Sequence, residues 1–154
     1  MGNVSVGATR ELDLVASLYR TTNAFVRELD RRLVQEDDVT FIQAITLLAI
    51  DSFDRPQPRL VADFLSQQSQ TVTGVLDRLE RAGHVRRLRD MEDRRAVRLQ
   101  LTDSGKRIAR AIEGRLQQHV ADLLAGVDSP TRARLQLVLE SLESSVRVGS
   151  ANGL

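Results

Sequence analysis

The sequence predicts a mainly α fold of the α+β class, with long helices at both ends of a 154-residue chain and one β-hairpin between them. Three observations point there. Apolar residues recur at three- and four-residue spacing along residues 9–35 and 103–125, the period of a helix with one apolar stripe. Two shorter apolar segments, 59–65 and 69–82, flank the turn-length Ser66-Gln67-Gln68, which is the layout of a helix-turn-helix. After Gly83 the period drops to two: Val97, Leu99 and Leu101 alternate with Arg98 and Gln100, as in a half-buried strand. A helix-turn-helix running straight into a charged hairpin is a winged helix-turn-helix.

Each element has its own signal. In the first helix Leu12, Val15, Leu18, Tyr19, Thr22, Phe25, Val26, Leu29 and Leu33 form one stripe expected to be buried, and Glu36-Asp37-Asp38 ends it. Thr40 with Gln43 predicts a capping box opening a second helix that ends near Asp51. Pro56 and Pro58 place residues 54–58 in a loop. The short helix 59–65 turns Leu60, Val61, Phe64 and Leu65 inward, and helix 69–82 buries Val72, Val75, Leu76 and Leu79 before Gly83 stops it. Residues 84–89 and 95–101 read as strands around the polar tip Asp90-Met91-Glu92-Asp93-Arg94. Thr102 caps the long helix carrying Ile108, Ile112, Leu116, Val120 and Leu123. Ser129-Pro130 then reads as a cap followed by proline at the first helical position, opening a last helix with Leu135, Val138, Leu139, Leu142 and Val146.

Composition narrows the function. Apolar residues make up 42% and charged residues 28%, the balance of a globular domain, and no apolar run approaches the ~20 residues of a membrane span. The N-terminal residues lack the pattern of a secretion signal, so the expected location is cytoplasmic, in association with the nucleoid. The absence of cysteine excludes disulfides, thiolate metal sites and thiol-based sensing. His84 and His119 are too far apart for a zinc motif, and each reads as a packing, core or interface residue. With no nucleophile motif and no glycine-rich phosphate loop, neither an enzyme nor a cofactor is indicated. Net charge is only +1, yet residues 69–107 hold ten basic and six acidic residues, a net of +4 that leaves −3 elsewhere. A local positive region on a nearly neutral chain suits a polyanion, although a solvated charged surface would look the same on charge alone.

Taken in order, several short motifs resemble the MarR family of bacterial transcription regulators. They are Leu60-Val61-Ala62 with Leu65-Ser66, Thr71-Val72-Thr73 with Leu76-Asp77-Arg78-Leu79-Glu80, Ala82-Gly83-His84-Val85-Arg86-Arg87, Asp93-Arg94-Arg95, and Leu101-Thr102-Asp103-Ser104-Gly105. The resemblance covers nearly the whole chain. It implies a single domain over residues 1–154, with a winged lobe at 40–101 and dimerisation helices at 9–35 and 103–148. It further implies a homodimeric repressor on a pseudo-palindromic operator in double-stranded DNA, released by a small aromatic or phenolic ligand in a crevice between the dimer helices and the lobe. On that mapping Gln68, Ser69, Gln70, Thr71, Thr73 and Gly74 lie at the major-groove end of the recognition helix, and Arg78 meets phosphate. Arg94 and Arg95 belong to the wing, with Arg95 in the minor groove and Asp93 orienting the wing arginines.

Two departures stand out. Relatives carry arginine where this chain has Gly74. Gln68 takes the place of a better helix cap, weakening that start by up to about 1 kcal/mol. Rival readings are a single-strand or RNA binder and a winged helix used as a protein-interaction module without ligand control. The first needs aromatic stacking platforms, and the last aromatic residue is Phe64, outside the basic segment.

Overall fold

The structure, a computed structural model, describes residues 9–91 and 96–151, with side-chain surroundings up to residue 147. Helix α1 spans Arg10–Asp37, α2 Phe41–Ser52, α3 Pro58–Phe64 and α4 Ser69–Arg81. Strands β1, Val85–Arg89, and β2, Val97–Leu101, follow, then α5, Asp103–Leu123, and α6, Ser129–Ala151. The chain divides into two compact units, residues 1–117 and 118–154.

In the first unit α1 starts at Thr9, whose side chain accepts the Leu12 N–H, and stops where Asp38 turns left-handed at φ 57°. The expected capping box is present: Thr40 accepts the Gln43 N–H and the Gln43 side chain accepts the Thr40 N–H at 2.8 Å. Asp30 of α1 adds a second anchor, accepting the Phe41 N–H at 2.5 Å, so three of the orphan donors around this helix start are satisfied. Helix α2 forms the centre of the core, with Ala44, Thr46, Leu47, Ala49 and Ile50 buried. The Thr46 hydroxyl donates to the Ile42 carbonyl at 2.6 Å, which removes the cost of burying it.

The α1 stripe departs from expectation. Only Leu29 and Leu33 are buried, whereas Leu12, Val15, Leu18 and Tyr19 are 42–71% exposed. Apolar residues of the N-terminal half of this helix therefore remain at the surface among the described residues. Helix α3 also starts one residue earlier than the loop reading allowed, because Pro58 occupies the first turn, where a missing N–H costs nothing. The turn to α4 passes through Ser66 at φ 50°, and the Gln67 N–H closes back on the Ala62 carbonyl at 3.0 Å.

Helix α4 ends in a Schellman motif. The Gly83 N–H donates to Glu80 and the His84 N–H to Leu79, both at 2.9 Å, with Gly83 at φ 78°. The two strands pair antiparallel with Val85 opposite Leu101 and Arg89 opposite Val97, and the Leu99 N–H reaches outward to the Pro56 carbonyl at 2.8 Å. At the foot of the hairpin, the Thr102 hydroxyl accepts the Gly105 N–H at 3.0 Å and donates to the Gly83 carbonyl at 2.6 Å. The Thr102 N–H donates to the His84 carbonyl at 3.0 Å. That carbonyl lies so close to α5 that a Cβ on Gly105 would sit 2.0 Å from its oxygen.

In the second unit α6 is capped by Asp128, one residue before the expected cap. Its carboxylate accepts the Thr131 N–H at 2.8 Å, so Ser129 and Pro130 fall inside the helix. This backbone hydrogen bond holds the Asp128 carboxyl below its usual range. Arg132 donates to the carbonyls of Val127 at 2.7 Å and Leu124 at 2.6 Å, pinning the connection. Leu135, Leu137, Val138, Leu142 and Val146 are 45–69% exposed.

Two glycines of α5 should therefore respond oppositely to alanine. At Gly114 nothing lies within 4 Å of the added methyl group, and improved helix propensity should stabilise the protein by about 0.5–1 kcal/mol. Gly105→Ala must displace the His84 backbone and should cost about 1–3 kcal/mol. Urea unfolding midpoints of the two variants check both signs.

Candidate nucleic-acid interface

Helical period divides α4 into two faces. Val72, Val75, Leu76 and Leu79 are buried. Gln68, Ser69, Gln70, Thr71, Thr73, Gly74 and Arg78 are all exposed, so every recognition-helix residue singled out from the sequence lies at the surface. Gln68 makes no side-chain hydrogen bond to the helix start, and the first turn holds no acidic residue. The positive end of the helix dipole is therefore left uncompensated, an arrangement suited to a phosphate oxygen. The Thr73 hydroxyl donates to the Ser69 carbonyl at 2.8 Å, so outward it offers acceptor lone pairs and a methyl group but no free proton. The space beside Gly74 is open to 4 Å.

The arginines of this region sort into two kinds. Arg87 on β1 is consumed by structure: it donates to Glu80 at 2.5 Å and Asp77 at 2.7 Å, and its own N–H donates to Glu80 at 3.1 Å. Burial opposes its charge, but the hydrogen bonds to Asp77 and Glu80 more than offset this and raise the guanidinium pKa. The result is a strut between the recognition helix and the hairpin. Arg78, Arg81, Arg86 and Arg89 are exposed, and among the described residues none of them has a carboxylate partner. Their charge is available to an external anion.

Where β1 enters the hairpin loop, Asp90 is 5% exposed. Its N–H closes the hairpin on the Ala96 carbonyl at 3.0 Å, and Arg55 donates to both carboxylate oxygens at 3.3 Å. The loop after α2 is thus tied to the start of the hairpin loop. Asp93, Arg94 and Arg95, assigned to the wing from the sequence, lie outside the described residues.

Sequence reading missed Arg87, Asp77, Glu80, Arg55 and Asp90 as positioning residues. Asp77 and Glu80 could have been found: carboxylates three apart on a polar helix face, just before a tight turn into an arginine-bearing strand, are placed to meet it. Arg55 and Asp90 are 35 residues apart and carry no such signal. His84 is half-buried, its ring nitrogen 3.2 Å from the Ser104 hydroxyl, and His119 is buried; both fit packing roles. Among the described residues no acidic or histidine cluster could hold a metal ion, and no helix is long and apolar enough to cross a membrane.

Comparison with known proteins agrees with this geometry. The MarR family model matches residues 37–96, which takes in α2 to α4 and strand β1. The HTH-type transcriptional regulator TtmR of Methylorubrum extorquens is 32% identical over 141 residues, covering 89% of this chain and 70% of TtmR. Two further HTH-type regulators match over only 47% and 59% of their own length. A MarR/EmrR family transcriptional regulator from Acinetobacter superposes with a TM-score of 0.83 at 15% identity, over 90% of this chain and 98% of that one. A mutant MarR from E. coli, complexed with operator DNA, superposes with a TM-score of 0.76 at 25% identity, over 84% of this chain and 92% of that one. The fold, the family-model match and the relative TtmR converge on one conclusion: this chain belongs to the MarR family of transcriptional regulators.

Proposed function

We propose that this protein represses transcription by binding a pseudo-palindromic operator in double-stranded DNA as a homodimer. The carrying observation is the exposed N-terminal face of α4, polar and uncapped, beside four exposed arginines that have no carboxylate partner among the described residues. Residues 40–101 act as the DNA-binding lobe. Helix α4 enters the major groove and presents Gln68, Ser69, Gln70, Thr71 and Thr73 to base edges, with Gly74 allowing close approach and Arg78 on phosphate. Arg94 and Arg95 carry the wing contacts, and Asp93 orients them. The operator complex of the E. coli relative supports this docking mode.

Residues 9–35 and 103–148 act as dimerisation helices. The exposed apolar stripes Leu12–Tyr19 of α1 and Leu135–Val146 of α6 support this reading. A small aromatic or phenolic ligand releases the dimer from DNA by changing the spacing of the two lobes. The protein works in the cytoplasm, on the nucleoid, without catalysis or cofactor.

Three measurements test this reading. Titrations on operator and scrambled duplexes at several salt concentrations separate charge from sequence readout. Arg95→Ala should weaken all duplexes and flatten the salt dependence, because fewer counterions are released. Thr73→Ala should instead change preference among operator variants by about 1–3 kcal/mol with the slope unchanged. Wild-type binding by Arg95→Ala would remove the wing assignment, and no retention of duplex DNA at all would favour the protein-interaction module.

Arg87→Met should lower operator affinity while leaving the salt slope intact, since its hydrogen bonds go to Asp77 and Glu80. Its stability loss should be about 1 kcal/mol because the pair is partly exposed. A slope that falls with Arg87→Met would make it a phosphate contact.

Leu18→Glu and Leu142→Glu place a charge in the exposed stripes and should give monomers by sedimentation. Those monomers should bind operator weakly, because half-sites about 34–36 Å apart need two linked lobes. A monomer with undiminished affinity would overturn the dimer argument.

A further inference from the structure

Between α2, α3 and α5 lies a cleft of about 420 Å³, within the size range of small-molecule sites, about 300–1,000 Å³. Ile45 and Leu48 of α2 form its apolar floor, and Phe64 of α3, 56% exposed, stands at its side. Its charged lining residues are Asp51 of α2 and Glu113 of α5, and no basic residue lines it. Among the described residues neither carboxylate has a hydrogen-bond or ion-pair partner. Three features from three elements therefore favour one ligand chemistry: apolar surface, two carboxylates without a direct ion-pair partner among the described residues, and an exposed aromatic ring, a group that attracts cations. The neighbouring cavity of about 380 Å³, on the other side of Asp51, is different. It sets Arg98 and Lys106 beside Asp51 and Asp54, so its charges offset one another.

We infer that the cleft between α2, α3 and α5 binds a lipophilic organic cation, an aromatic amine or quaternary ammonium, and not the phenolic anion that the family resemblance implies. An anion there would meet two carboxylates of its own sign and be repelled by both. A cation gains both charges and the Phe64 ring, while its apolar body covers Ile45 and Leu48. Phe64 ends the first helix of the helix-turn-helix and packs edge-on against Phe53 at 5.6 Å, so a ligand wedged beside it bears directly on the DNA-reading lobe. This deepens the ligand-release reading above and rests on it only for the effect on DNA.

The test uses full-length protein and three probes: benzyltrimethylammonium, benzyl alcohol and phenylacetate, titrated by calorimetry. Benzyltrimethylammonium should bind, and phenylacetate should bind about tenfold more weakly or not at all. Glu113→Gln and Asp51→Asn, both at exposed positions, should each lower the cation's affinity about fivefold without changing thermal stability or benzyl alcohol binding. Equal or tighter binding of phenylacetate overturns the proposal. So does cation binding unaffected by either substitution, or no cation binding up to about 10 mM. Operator binding, followed in the same samples on a duplex recovered from genomic fragments that the protein retains, distinguishes the two readings. If the cation binds as expected but leaves DNA affinity unchanged, the cleft stands and the release reading fails. If phenylacetate releases DNA without sensitivity to Glu113→Gln or Asp51→Asn, release stands and the cleft proposal fails.

Discussion

The lobe depends on one close approach: the carbonyl of His84 occupies the volume where any residue but glycine at position 105 would place its side chain. Three segments meet at that point. The Schellman turn ending α4 delivers the carbonyls of Gly83 and His84, β2 delivers Thr102, and α5 begins at Asp103. Thr102 serves all of them, capping α5 through its hydroxyl oxygen while donating the hydroxyl proton to Gly83. Because the end of the recognition helix and the start of the long helix share one set of hydrogen bonds, they move together. Displacing one without the other would break these hydrogen bonds, each contributing about 0.5–1.5 kcal/mol.

Above this junction the hairpin is held by charge. Asp77 and Glu80 pair with Arg87, and Asp90 accepts from Arg55, so these three carboxylates beside the exposed face of α4 are engaged in holding the lobe together. This division explains how a chain of net charge +1 can present a basic surface. Acidic residues that would repel phosphate are turned into struts, while Arg78, Arg81, Arg86 and Arg89 stay exposed. The same pairing gives the recognition helix and hairpin a defined relative orientation, which base readout requires because its hydrogen bonds tolerate little misplacement.

The long helices carry apolar surface that is only partly covered. Their apolar stripes follow helical period from end to end, yet burial within the chain extends over only part of them. In α1 the change falls between Tyr19, 71% exposed, and Leu29, 4% exposed, where the core around α2 begins. A continuous stripe with discontinuous cover is what the proposed dimer interface rests on.

Local chemistry made much of this legible in the amino-acid sequence alone. The capping box at Thr40, the glycine stop at Gly83, the threonine cap at 102 and the switch from helical to alternating period each depend on neighbours within a few residues. They were therefore readable without knowing the fold, and with the motif order they identified the family. The outward face of α4 was readable for the same reason, since helical period alone separates Val72 and Leu76 from Thr73 and Gly74. What only the tertiary structure decided involves partners far apart in the chain: Arg55 with Asp90, Asp30 with the start of α2, the Pro56 carbonyl with β2, and the carbonyl of His84 against Gly105. The cleft joining Asp51, Phe64 and Glu113 is of the same kind, three side chains on three helices with no shared period. Periodicity and capping fix which way a residue faces on its own element; which residue it then meets depends on how the elements pack, and that is a property of the whole chain.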